Sequence, residues 1–264
     1  MKNIIIGQYV PGESFIHKMD PRAKLLTIFL FVIIVFIANN VFTYTIIGLF
    51  TILCVLLSRV PLVYIYKGLK PILWIILFTL VLHLFMTKEG EVVFQYKWIT
   101  IYEEGLKQGV FISLRFIFLI MITSLLTLTT TPIEITDGME ALLSPFKRFG
   151  LPAHELALMM SISLRFIPTL MEETEKIIKA QSARGVDFTS GTLKQRMNSI
   201  IPLLVPLFIS AFRRAEDLAL AMEARGYRGG EGRTRIRELV WKSTDHLVFV
   251  LLFIMIILLF LLRS

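Results

Sequence analysis

Only one cysteine, Cys54, occurs in the 264 residues, and it lies inside an apolar run. That excludes an intramolecular disulfide and any multi-cysteine metal site, and nothing points to an oxidising compartment. Charge is scarce as well, at 18% of residues against 55% hydrophobic. A soluble chain of this length keeps more, because its wet surface is still large. No G-x-x-x-x-G-K-[ST] stretch is present, so the chain is expected to bind no nucleotide, metal or other cofactor directly. The histidines, His17, His83, His154 and His246, are scattered, and His154-Glu155 lacks the second histidine of a zinc-protease helix. No Ser/His/Asp set emerges from spacing. The chain reads as non-enzymatic, with no catalytic residue to assign.

What is abundant is apolar sequence, clustered into long runs that mark membrane spans. Leu25–Ala38 and Val41–Leu57 are each slightly short for a ~30 Å hydrocarbon core and together far too long for one span. A helical hairpin with Asn39-Asn40 as its outer turn is expected, since Asn accepts turn geometry and resists lipid. One long kinked helix is the alternative. Arg59, Lys67 and Lys70 then frame a short amphipathic link, and Pro71 opens a third span, Ile72–Met86. A polar loop over 87–104, a fourth span from about Leu106 to Thr130 and a last span, Leu247–Leu262, complete the count.

The net charge of +8 is read first as orientation, because cytoplasmic loops of membrane proteins collect Lys and Arg. Lys2, Lys18, Arg22 and Lys24 put the N-terminal lead inside, and Arg59, Lys67 and Lys70 do the same for the second link. Five spans then place 131–245 inside, with 16 of the 28 Lys and Arg in 144–245, and the C-terminus outside. Nucleic-acid binding is the rival reading of basicity, but the basic residues flank apolar runs and no such motif appears. The first apolar run has no cleavage site after it, so a removed signal peptide is not expected.

Between the last two spans, residues 152–184 and 193–226 read as long helices that begin apolar and end amphipathic. In the first, Ile167, Leu170, Met171, Thr174, Ile177 and Ile178 share a face, with Glu172–Lys176 and Glu175–Lys179 as i,i+4 pairs opposite. In the second, Phe212, Ala215, Leu218, Ala219 and Met222 form the stripe, with Arg213 and Arg214 off it. Pro168, Pro202 and Pro206 are expected to kink or divide these helices.

Both helices finish alike, in Ala180-Gln-Ser-Ala183-Arg184-Gly185 and Ala221-Met-Glu-Ala224-Arg225-Gly226, an A-x-x-A-R-G pattern repeated at an offset of 41. One copy is explained by helix ending: Arg suits the negative end of the dipole and Gly takes the left-handed position beyond it. Two copies on consecutive helices of like design ask for more. Small Ala neighbours leave each guanidinium clear, so that its fixed fork of donors can enter a groove on a partner. Two such plugs call for two grooves on a paired, cytoplasmic partner.

With these residues in view the chain resembles the transmembrane (T) component of energy-coupling factor (ECF) transporters, the CbiQ-like family of vitamin and metal-ion importers. The resemblance runs nearly the whole length. It rests on Gly7-x-Tyr9-x-Pro11-Gly12-x-Ser14, then His17-Lys-Met-Asp20-Pro21-Arg22, the spans, and above all the two Ala-Arg-Gly ends. It implies an all-α integral membrane protein of about five transmembrane helices plus two long cytoplasmic-facing coupling helices. It further implies that Arg184 and Arg225, flanked by Ala183, Gly185, Ala224 and Gly226, each dock on one of two ATP-binding cassette ATPase subunits. ATP and Mg would sit on those subunits, and a membrane-embedded S component would choose the substrate. The expected domains are a membrane domain over 1–131, a coupling-helix region over 132–243 and a C-terminal transmembrane helix over 244–264.

Lesser candidates have plainer readings beside them. Ser-Leu-Arg-Phe-Ile occurs at 113–117 and 163–167. Arg115 and Arg165 would then fix helix packing where spans meet the long helices, or merely snorkel to headgroups. His83 is a helix-contact donor before it is a ligand. Arg233, Arg235 and Arg237 read as an orientation signal on anionic lipid. A self-sufficient secondary carrier would need broken helices and ionisable groups at mid-bilayer, and apart from Arg115 and His83 the spans are nearly bare of them.

Overall fold

The computed structural model describes residues 9–96, 99–188, 192–229 and 238–262. The expected basic run Arg233, Arg235, Arg237 lies outside them, as do Lys2, Gly7, Lys97 and Arg263. The chain divides into two compact units, one formed by Met1–Leu142 with Arg237–Ser264 and the other by Leu143–Ile236.

In the first unit the N-terminal runs form two helices, α1 (Pro21–Ile37) and α2 (Val41–Ser58), and not one kinked helix. The break is made by local chemistry. Asn40 caps α2, accepting from Thr43 N at 2.9 Å while the Thr43 hydroxyl takes the Asn40 N–H at 3.1 Å. At the other end of α1, Pro21 stands at the first helical position and the Asp20 carboxylate accepts from Arg22 N at 2.8 Å.

Helix α3 (Leu62–Met86) corrects one expectation: the supposed link and third span are a single helix of 25 residues with Pro71 inside it. A proline deprives only one carbonyl of its partner, a loss that membrane helices tolerate. The loop after it is not structureless either. Strands β1 (Val92–Tyr96) and β2 (Ile99–Tyr102) pair antiparallel, Phe94 opposite Ile101 and Tyr96 opposite Ile99. Helix α4 (Glu103–Thr129) then packs so close to α3 that a Cβ on Gly105 would lie 2.9 Å from the His83 carbonyl. A short helix, α5 (Pro132–Leu143), and a 3-10 turn over Ser144–Phe149 follow, neither of them foreseen. Helix α8 (Ser243–Leu262) closes the unit.

Among the described residues four helices, α2, α3, α4 and α8, are long and apolar enough to cross a membrane by length and composition. The expected first span, α1, has 17 residues, roughly 26 Å of helix, at the short end of what crosses a bilayer. Its Phe31, Ile34 and Val35 are buried against α2, α4 and α8. Where lipid surrounds a bundle, apolar burial alone favours association little, so close packing and polar ties between helices carry more. Several such ties converge where α1 and α8 begin. The buried Asp245 accepts from Asp20 N at 3.2 Å and from Lys242 N at 2.8 Å. Arg22 clasps Asp20 through Nε at 3.0 Å and Nη2 at 2.9 Å, gives Nη2 to the Leu239 carbonyl, and lies over the Trp241 ring. Lys24, also buried, donates to the Thr129 carbonyl and the Thr130 hydroxyl, both at 3.0 Å. Thus the His17–Arg22 stretch that carried part of the resemblance fastens the start of α1 to a helix more than 200 residues away.

The second unit is built on α6 (Ala153–Ala183) and α7 (Leu193–Ala224), close to the two long helices expected. Both run through their prolines without ending. They are antiparallel: Gln181 meets Pro202, Glu173 meets Ser210 and Arg214, and His154 meets Tyr227.

Candidate coupling site

The two Ala-Arg-Gly segments have the same backbone geometry. Arg184 is the C-cap residue of α6, and Gly185 follows at φ +90°. Gly185 N donates to Ser182 O and Val186 N to Gln181 O, both at 3.0 Å. At the end of α7, Gly226 takes φ +70°, with Gly226 N to Glu223 O at 2.8 Å and Tyr227 N to Met222 O at 3.0 Å. Each is a Schellman motif, in which a left-handed residue turns the chain back to satisfy the last carbonyls. Glycine is required there because a Cβ disfavours that conformation, whereas space is not limiting: nothing lies within 4 Å of where either Cβ would stand. The helix-ending explanation of the motif is therefore correct as far as it goes.

It leaves the arginines unexplained. Ala183, Arg184, Gly185, Ala224, Arg225 and Gly226 are all exposed. Among the described residues neither arginine side chain has a hydrogen bond or an ion pair. Arg214, by contrast, pairs with Glu173 at 3.1 Å. Nor does the structure bring the two sites together. Tyr227, just past Arg225, donates its hydroxyl to or accepts from His154 at the start of α6, so the tips stand at opposite ends of the pair.

Each tip is also tied to the other helix. Pro206 has no N–H to offer the carbonyl four residues back. That carbonyl, Pro202 O, instead accepts from the Gln181 side chain at 3.4 Å, and Gln181 lies within the first A-x-x-A-R-G. At the second tip the His154–Tyr227 contact, 3.2 Å, does the same.

Other expected residues fall differently. On α6 Leu170, Met171, Thr174, Ile177 and Ile178 are half-buried, as the spacing indicated, whereas Ile167, expected on the same face, is exposed. The phase of α7 is shifted: Leu203, Leu207, Ala211 and Arg214 are half-buried with Leu218 and Met222, while Phe212, Ala215 and Ala219 are exposed. Neither Glu172–Lys176 nor Glu175–Lys179 closes to an ion pair among the described residues; exposed pairs gain too little to hold two long side chains still. Glu173, between them, reaches α7 instead. The Ser210 hydroxyl donates to its Oε1 at 2.6 Å, and that bond with the nearby Arg214 and Lys176 charges holds the carboxyl below its usual range despite partial burial. Arg115 and Arg165 do not act alike. Arg115 donates to Tyr44 Oη at 3.0 Å and to the Ala38 carbonyl at 3.4 Å, beneath the Phe36 ring, so it braces the α1–α2 turn, whereas Arg165 is exposed. His83 contacts Thr87 at 3.4 Å, one turn along its own helix.

Comparison with known proteins agrees with the resemblance. The model of the CbiQ family, described as cobalt transport protein, matches residues 12–236. The energy-coupling factor transporter transmembrane protein EcfT of Bacillus subtilis is 67% identical over 100% of both chains. Its namesakes from Brevibacillus brevis and Exiguobacterium sibiricum are 60% identical over 97% of each chain and 55% over 99%. The chain belongs to the CbiQ family, that of the energy-coupling factor transmembrane proteins it matches from end to end.

Proposed function

We propose that the chain is the non-catalytic scaffold of an ECF transporter, converting ATP hydrolysis on two partner ATPase subunits into uptake of a vitamin or metal ion through an S component. Arg184 docks on one ATPase and Arg225 on the other, and closure of the nucleotide-binding pair moves both helix ends. The observation that carries the reading is the repeated tip: two exposed guanidiniums, unpaired among the described residues, on matching Schellman ends at opposite ends of one antiparallel pair. An exposed guanidinium of this kind is available to a carboxylate or helix-end carbonyl of another chain.

The S component is matched to the outer face of α7. Met197, Ile201, Val205, Phe208, Ile209 and Phe212 recur there at helical spacing, each more than half exposed. A face of this kind suits a membrane-embedded protein better than water. The N-terminus and both tips lie on the cytoplasmic side of the cell membrane, in keeping with the basic residues around them. Photo-crosslinkers at Ala183 and Ala224 test the docking. Adducts with the ATPase subunits at both positions are expected; crosslinks at neither, or labelling of both positions from the outer side, would overturn it.

A further inference from the structure

The 41-residue offset that superposes Arg184 on Arg225 also superposes Glu173 on Arg214. In an antiparallel pair of equivalent helices, one residue of each must meet its own counterpart at the pseudo-two-fold centre, as at an isologous interface. Had the repeat kept the same charged residue in both helices, like charges would face each other there. It holds Glu in one and Arg in the other, at 3.1 Å, with Ser210 donating to the second carboxylate oxygen at 2.6 Å.

We propose that Glu173, Arg214 and Ser210 form the pivot of the α6–α7 pair, fixing its register and crossing so that the two arginine tips keep a defined separation. The half-buried residues flanking the triad, Leu170, Ile177, Leu207 and Leu218, are apolar. An apolar seam tolerates sliding by a turn, whereas a charge pair set in it does not, because slipping leaves both charges unpaired. Glu173 precedes its tip by as many residues as Arg214 precedes its own, so the arms are equal, roughly 16 Å each. Any rotation about the triad then carries both tips through the same arc, as a pair of like ATPase subunits would require. That last consequence rests on the proposed function; the pivot itself does not.

The test is the tip-to-tip distance in the full chain. With Cys54 replaced by Ser, nitroxides at S182C and E223C, exposed and equivalent in the repeat, are read by double electron–electron resonance in lipid nanodiscs. One narrow distribution is expected for the parent. E173A and R214A should each broaden it about twofold and move its centre, S210A less, and the swap E173R/R214E should return it towards the parent, as coupled positions do. Unchanged distributions in E173A and R214A would overturn the pivot. So would a swap that stays broad, since the loss would then be one of folding and not of charge pairing. Because no ATPase is present, a failure of docking leaves this outcome untouched. In the assembled transporter E173A should retain its ATPases and lose uptake.

Discussion

Asp245 accepts the backbone N–H of Asp20 at 3.2 Å, so one buried carboxylate joins the first turns of α1 and α8. It takes the Lys242 N–H on its other oxygen, and both donors belong to helix starts, where the dipole favours negative charge. Asp245→Ala leaves the buried Asp20 amide and the partly buried Lys242 amide without acceptors and should cost about 1–3 kcal/mol. Asn keeps one acceptor and should cost less. Thermal unfolding in mild detergent reads both; equal midpoints for Ala and wild type would contradict the tie.

Elements written in local chemistry could be read from the chain alone. The α1–α2 turn announces itself through Asn40, and each long helix through the glycine after its last arginine. Span α3 was cut short because Lys67, Lys70 and Pro71 look like a boundary, yet a helix can carry all three on an end that meets headgroups. The β-hairpin was overlooked although Val92-Val-Phe-Gln-Tyr and Ile99-Thr-Ile-Tyr have strand composition. What no local pattern could supply is contact between distant residues, such as Asp20 with Asp245. The Glu173–Arg214 pair lies between: the 41-residue offset contained it, but the phase assigned to α7 turned Arg214 outward.

Acid should loosen the α1–α8 tie in a defined direction. Burial pushes the Asp20 carboxyl up, but the bonds and charge of Arg22 and the charge of Lys242 outweigh it and hold the group below 3.8. A carboxyl depressed on folding contributes stability that is complete above its unfolded value and lost as pH falls through its folded one. The unfolding midpoint should therefore hold steady from neutrality down to about that value and fall below it. In Arg22→Ala the midpoint should start lower, and the acid decline attributable to Asp20 should shift upward. An identical pH profile in the two proteins would contradict this assignment.

At the tips, Gly185→Ala and Gly226→Ala change the backbone without touching charge. Each should cost about 1 kcal/mol through left-handed strain alone, since the surrounding space is open. Asn, which tolerates that conformation, should cost less. Faster hydrogen exchange across the last helical turn is the local readout, and protection equal to wild type would mean that the Schellman turn does not depend on glycine.

Arg115 separates bracing from snorkelling. A cation that merely seeks headgroups would be indifferent to Tyr44→Phe, whereas a brace loses a bond of about 1–2 kcal/mol. Arg115→Leu should destabilise more than Tyr44→Phe, and the two together little more than Arg115→Leu, because they remove one shared contact. Simple additivity in unfolding midpoints would favour snorkelling.

The most direct measurement is recovery of ATPase subunits with the double charge reversal R184E/R225E in mild detergent, set beside wild type at equal membrane insertion. Breaking a desolvated arginine contact costs about 2–5 kcal/mol, or ~30-fold and upward in affinity. The single reversals should therefore weaken recovery and the double one abolish it, with uptake lost in step. A double variant that inserts, retains both ATPases and imports substrate normally would contradict the role given to Arg184 and Arg225.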